Sequence, residues 1–286
     1  MLDTSLTEPR AMNPLDAVTS FPAQDGQQTE LPCGPWRARS LGSAAADIDI
    51  AIDLGNRAMT VTSLLAACMS DAQGHPLDIE QVWNWTLNQR LQALIAMRLA
   101  AGNPVLALQS SCTRCDEAME TALDLRMLVA EPVSPRFIWR DGEGMELMLR
   151  LPTGRDLEIW MKDGIPLHGQ LLMSLIESAA DRPLELSTLM ALEPKIDDAL
   201  QAHDPLTALQ LQTSCPACGH ENAIACDLEV HLLEGFARDQ AGTLDDVIQL
   251  AGAFRWSESE ILALPRWRRT HYLRQLQRQQ ETGAWA

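Results

Sequence analysis

The chain has 286 residues, 46% of them hydrophobic and 21% charged, which suits a globular protein of one large or two modest domains. With 22 Lys and Arg against 39 Asp and Glu the formal net charge is −17, a poor match for a phosphate-neutralising nucleic-acid binder. No stretch approaches the roughly 18 apolar residues of a membrane span and no basic-then-apolar leader opens the chain, so no membrane role and a cytoplasmic location are expected. Seven cysteines are too few to build a disulfide scaffold of this length, and their spacing is therefore read for metal first.

Residues 1–30 read as a disordered tail: Pro9, Pro14 and Pro22 punctuate a Gln-, Ser-, Thr- and Asp-rich stretch without apolar periodicity. An N-terminal helical region is expected over 31–104. A helix around Met59–Ser70 would bury Leu64, Leu65 and Cys68. The clearest helix starts at Asp78, with Gln81 in capping-box position, carries Val82, Leu87, Leu91, Leu94, Ile95 and Leu99, and stops at Gly102-Asn103-Pro104. On one continuous helix Trp83 and Trp85 cannot share a face, so one would be core and the other a possible surface anchor.

Residues 105–130 and 208–230 form a matched pair. Leu106-Ala-Leu108-Gln-Ser-Ser-Cys112-Thr-Arg-Cys115 aligns with Leu209-Gln-Leu211-Gln-Thr-Ser-Cys215-Pro-Ala-Cys218, and 215 − 112 and 218 − 115 both give 103. The same offset carries Asp124-Leu125 onto Asp227-Leu228. Each copy alternates apolar and polar residues on both sides of a C-x2-C tip, the pattern of a β-hairpin ending in a thiolate knuckle. Two such knuckles supply four sulfurs to one ion. Zn2+ takes thiolates tetrahedrally at about 2.3 Å, and a site closed by four Cys is structural. One structural Zn2+ held by Cys112, Cys115, Cys215 and Cys218 is therefore expected, clipping together half-sites separated by 215 − 115 − 1 = 99 residues.

A dithiol oxidoreductase would need the first Cys at a helix N-terminus, whereas these flanks alternate like strands. A zinc deaminase would need a Glu beside a His or Cys ligand, and no His-x-Glu is present. His220 reads as a solvent-facing neighbour of the site, Cys226 as a small core residue, His231 as part of the following helix, and Cys33 and Cys68 as inert.

The 131–207 segment reads as an inserted α/β stretch. Phe137–Trp139 and Met145–Leu151 are expected strands around an Asp141–Gly144 turn. Short helices follow after Asp156, through Leu171–Ile176, and from Pro194 as a first-turn proline. The 231–286 stretch reads as a helical arm: Thr243 caps one helix, Ser257 and Glu260 box a second, and Pro265 opens a third. From Arg255 onward six Arg face three Glu, a local +3. The fold class expected is thus α+β, mostly helical, with a duplicated β-hairpin zinc-ribbon core and a helical C-terminal arm.

No nucleotide-binding, metalloprotease or serine-hydrolase motif is present, and His75, His168, His203 and His271 stand alone, so no catalysis is expected. The aromatic and Arg content of Trp256, Glu260, Trp267, Arg268, Arg269 and Tyr272 matches a partner-binding surface; the alternative is that the aromatics only pack helices together.

Three segments also carry a resemblance. They are Leu149-Arg-Leu-Pro152-Thr-Gly-Arg-Asp156-Leu157; Asp204-Pro205 leading to Cys215-Pro-Ala-Cys218-Gly219; and Phe254-Arg-Trp256-Ser-Glu-Ser-Glu260-Ile-Leu-Ala-Leu-Pro265-Arg-Trp-Arg268-Arg269-Thr-His-Tyr272-Leu273. Over about residues 100–275 the chain resembles the T-even-type baseplate hub assembly chaperone family of contractile-tailed phages and phage-like contractile injection systems. The resemblance implies a non-enzymatic assembly role with baseplate or hub proteins as partners. The competing expectation is a zinc-ribbon adaptor for nucleic acid or transcription machinery, reached through the C-terminal Arg set.

Overall fold

The computed structural model describes residues 29–30, 35–130, 133–141, 144–163, 168–179 and 186–281. The expected tail lies outside these residues except for Thr29 and Glu30, and so does Cys33. The chain folds as a mixture of helices and small antiparallel sheets.

Strands β1 (Thr29–Glu30), β2 (Arg37–Ala38) and β3 (Met69–Ser70) form the first sheet, with β2 in the middle. Helix α1 (Arg57–Cys68) runs into β3 and buries Leu64, Leu65 and Cys68. The expected long helix from Asp78 is two helices, α2 (Ile79–Trp83) and α3 (Leu87–Ala100). Asp78 makes no side-chain cap, while Thr86 does: its hydroxyl accepts the Gln89 N–H, and Gln89 Oε1 accepts the Thr86 N–H at 2.9 Å. That internal capping box breaks the chain between the two tryptophans. The i,i+2 conflict disappears with the continuous helix, and both Trp83 and Trp85 are buried. Neither is a surface anchor.

Strands β4 (Val105–Ser111) and β5 (Ala118–Asp124) make one hairpin. Strands β6 (Arg136–Arg140) and β7 (Glu146–Arg150) make a second, to which β8 (Ile176–Ala179) adds an antiparallel edge. Of the turn between β6 and β7, residues 142 and 143 lie outside the described residues. The alternation read along β7 holds: Leu147, Leu149 and the following Leu151 are buried. Helices α4 (Gly154–Asp163), α5 (His168–Leu175) and α6 (Leu186–His203) complete the middle segment. Pro194 lies inside α6 instead of opening it. Proline removes the bond to the carbonyl four residues back, here that of Met190, an exposed residue. Trp139, Leu147, Leu149, Leu172, Leu189 and Ile196 form a separate apolar cluster between this sheet and α5 and α6.

The Leu149–Asp156 stretch is a latch between segments. Arg150 donates to both carboxylate oxygens of Asp156, at 2.7 and 2.8 Å, and the Thr153 N–H and hydroxyl donate to the same carboxylate. Gly154 lies against Arg90 of α3: a Cβ there would stand 2.2 Å from Nη1. Arg90 is 0% exposed and donates to Thr62 Oγ1 and to the Val82 and Ala58 carbonyls. Burial pulls its pKa down to about 10. Only a glycine fits between that guanidinium and the start of α4.

Strands β9 (Gln210–Ser214) and β10 (Glu221–Ala225) form the last hairpin, followed by α7 (Leu228–Phe254), α8 (Glu258–Leu262) and α9 (Arg266–Glu281). Thr243 does not cap a new helix. Its hydroxyl donates to the Asp239 carbonyl at 2.9 Å, a back-bond inside the continuous α7. The Ser257–Glu260 capping box forms as read. The main core joins α1, α3 and the first half of α7 to the roots of two hairpins, through Leu106, Leu108, Leu125, Cys226 and Leu228. The far end of α7 packs with α8 and α9 around Val247, Leu250, Ile261, Leu262 and Leu273.

Candidate metal centre

The matched segments fold alike. In the first hairpin Ser111 pairs with Ala118, and in the second Ser214 pairs with Glu221, positions again 103 apart. At each tip the first Cys uses its backbone twice. The Cys112 N–H donates to the Glu117 carbonyl at 2.9 Å and its carbonyl accepts from Asp116 at 3.0 Å. The Cys215 N–H donates to the His220 carbonyl at 2.9 Å and its carbonyl accepts from Gly219 at 2.9 Å. The residue after the second Cys is left-handed in both, with φ 59° at Asp116 and 68° at Gly219. Glycine takes that conformation freely and aspartate is one of the few other residues that visits it. This turn folds each C-x2-C back on itself so that both thiols face one side.

The two tips meet. The sulfurs of Cys112, Cys115, Cys215 and Cys218 all lie within 4.8 Å of one another, and every pair needed for four-fold ligation is present. Cys112 and Cys218 approach to 3.7 Å, as do Cys115 and Cys215. These distances are far beyond the roughly 2.05 Å of a disulfide, and the thiols are free. A tetrahedron with arms of about 2.3 Å has edges of about 3.8 Å, so the separations fit a metal held by four thiolates. Cys112, Cys215 and Met119 form a small buried cluster on which Cys218 and Ile224 pack, shielding one side of the group.

The thiols perturb one another. Burial alone would raise the Cys112 thiol, but the Arg114 and Cys115 N–H groups and the neighbouring thiols pull it down to about 6. The Glu117 backbone would lower Cys115, but hydrogen bonds with Cys218, Cys215 and Cys112, together with burial, push it up to about 12. Four negative sulfurs this close repel one another, so holding four thiolates together requires a cation among them.

Asn222 ties the two tips together and was not singled out from the sequence. It is 1% exposed. Its Oδ1 accepts the Thr113 N–H and hydroxyl, both at 2.9 Å, and its Nδ2 donates to the His220 carbonyl at 2.9 Å. Nδ2 also lies 3.8 Å from Cys112 Sγ. At the matched position of the first copy stands Met119 (222 − 103 = 119). A polar residue breaking a repeated apolar position was the available signal. Cys226 lies in the main core and Cys68 is buried among α1 side chains, its thiol pushed up to about 12 by that burial. His220 contributes its carbonyl, and no His belongs to the ligand-capable group among the described residues.

The C-terminal candidates separate. Trp256 stacks on Phe254 at 4.7 Å and meets Tyr272 edge-on at 5.3 Å, so both are used within the α7–α9 packing. Glu260 is the capping carboxylate of α8. Arg269 is 2% exposed and donates to the Gly42 carbonyl. Trp267, 39% exposed with the Arg268 guanidinium 5.3 Å over its ring, and Arg268 itself face outward. No helix among the described residues is long and apolar enough to cross a membrane. Comparison with models of protein families, with curated proteins and with solved structures yields no match for this chain.

Proposed function

We propose that Cys112, Cys115, Cys215 and Cys218 hold one structural Zn2+ in a duplicated zinc ribbon, and that the chain is a non-enzymatic assembly factor. Its partners are baseplate or hub proteins of a contractile phage tail or a phage-like injection system. The observation that carries the metal half is the convergence of the four sulfurs at edge lengths suited to zinc. All-sulfur ligation favours Zn2+ over the oxygen-seeking Mg2+ and Ca2+, and four ligands leave no open position for a substrate. Bound zinc would supply folding free energy by joining two distant hairpins and would perform no chemistry.

The assembly half is supported by the resemblance of the Leu149–Leu157 and Phe254–Leu273 stretches to the hub assembly chaperones. On this reading the exposed Trp267–Arg268 pair is the contact point, since Trp and Arg dominate interface hot spots. Two measurements test the reading. Metal analysis of the purified chain returns one zinc, lost together with folding stability in Cys112→Ser. Co-expression with the products of neighbouring tail genes returns a stoichiometric complex with a hub or wedge protein. Absence of a complex with every such product refutes the assembly role while leaving the metal site standing.

A further inference from the structure

We propose that the cleft between α4, the end of α6 and the start of α7 is a binding site for a small aliphatic amine, its ammonium on Glu229 and its alkyl chain on leucines. The cleft holds about 420 Å3, inside the range of roughly 300–1,000 Å3 typical of small-ligand sites. Leu87 of α3, Leu157 of α4, and Leu206 and Leu209 ahead of β9 supply its apolar wall. An alkyl body lying there is taken out of water, which is favourable. The charged residues of the lining are Arg57, Asp227 and Glu229.

Asp227 is fully used. One of its oxygens accepts the Val230 N–H at 3.2 Å, capping α7, and the other accepts from Arg57 Nη1 at 2.6 Å. Glu229 is not. Its side chain is 12% exposed, Arg57 Nε stands 3.7 Å away, and no hydrogen bond from a described residue reaches its carboxylate. Enclosed polar groups are ordinarily hydrogen-bonded. Burial raises the Glu229 carboxyl above its usual range, and Arg57 and Arg90 offset this only in part. The site thus holds an acceptor in want of donors.

The class of ligand follows from that want. An ammonium carries three donors and a full charge, whereas a hydroxyl brings one donor and no charge. One guanidinium against two carboxylates leaves the lining at −1, and the whole chain carries −17, so the field draws a cation in and turns an anion away. Arg90, the other cation facing Glu229, is 0% exposed and committed to Thr62 and two carbonyls. With a ligand in place Arg57 keeps Asp227 and the ammonium takes Glu229. None of the four ligand cysteines lines the cleft, so the inference stands apart from both the metal and the assembly readings.

The test titrates the full chain near neutral pH with hexylamine, hexanol and hexanoate, which share a tail and differ in head group. Binding is followed by calorimetry and by leucine-methyl NMR. Hexylamine is expected to bind at least about ten-fold more tightly than hexanol or hexanoate, and at least about ten-fold more tightly than ethylamine, which lacks four of the methylenes. Methyl shifts should centre on Leu87, Leu157, Leu206 and Leu209. Glu229→Gln should bring hexylamine down to the level of hexanol and leave hexanol unchanged. Leu157→Trp, which fills the cleft and keeps Glu229, should abolish binding of both. Equal affinity for the three head groups, preference for hexanoate, hexylamine binding undiminished in Glu229→Gln, shifts centred elsewhere, or no binding of hexylamine at millimolar concentration overturns the proposal. Tighter binding of Nα-acetyl-lysine amide than of hexylamine also overturns it, by assigning the cleft to a lysine side chain of a protein partner. If Glu229→Gln does not fold, the head-group series on the unaltered chain decides alone.

Discussion

Replacing Asn222 by alanine removes the clamp between the hairpin tips without touching a sulfur. Three hydrogen bonds at 2.9 Å are lost, two from Thr113 and one to the His220 carbonyl. At a net value of about 1 kcal/mol each they amount to about 3 kcal/mol. Thr113 is exposed, so water replaces part of what its N–H and hydroxyl lose, which brings the expected cost to about 2 kcal/mol. For a chain of 286 residues that lowers the thermal midpoint by roughly 3–4 °C. The assay is thermal unfolding of metal-loaded wild-type and Asn222→Ala proteins, followed by far-ultraviolet circular dichroism. Asn222→Asp should cost more, because its carboxylate lies beside the Cys112 sulfur and can no longer donate to His220. A midpoint for Asn222→Ala within about 1 °C of wild type would refute the argument that this side chain joins the two tips.

Three further outcomes follow from the packing. Gly154→Ala should destabilise the fold by about 3 kcal/mol, read from urea denaturation, since its Cβ would stand 2.2 Å from an arginine held by three hydrogen bonds; elsewhere in a helix the same change stabilises by up to about 1 kcal/mol, so the sign alone is diagnostic. Burial alone would raise the Asp156 carboxyl, but Arg150 and Thr153 hold it below the usual range. Its contribution is therefore full above the unfolded value of about 3.9 and is lost as pH falls through the lower folded value. Acid unfolding of Asp156→Asn should accordingly show a shallower loss of stability below about pH 4. Trp256→Ala should cost about 2 kcal/mol because the ring stacks within the α7–α9 cluster, whereas Trp267→Ala should, on the proposed function, abolish capture of the hub partner by a chain that still folds, as read by far-ultraviolet circular dichroism.

The candidate site was legible because its signal is arithmetic: a C-x2-C recurring at one offset within alternating flanks leaves few arrangements other than paired hairpins. The apolar face of β7 and the Ser257–Glu260 box were legible for a similar reason, since each is a short-range pattern. What escaped involves choices between competing local signals. Asp78 and Thr86 both offer helix caps, and only the partner of Trp85 in space, the Gly154 N–H that donates to its carbonyl, shows why the chain breaks at Thr86. Thr243 reads as a cap and instead bonds backward to Asp239. Pro194 reads as a start and is carried inside a helix. Arg269 reads as surface charge, yet it is enclosed beside Gly42, more than two hundred residues away in sequence. None of these outcomes is written in the neighbouring residues.

The interval of 103 residues between the half-sites also sets a timetable for synthesis. A ribosome adding about 5–20 residues per second delivers Cys215 roughly 5–20 seconds after Cys112. During that interval the first thiol pair is outside the ribosome without its counterpart. The intervening stretch meanwhile has its own nucleus around Trp139, Leu147 and Leu189 on which to condense. Joining the two tips is thus a late event in biogenesis, arriving after the middle of the chain has had time to take shape.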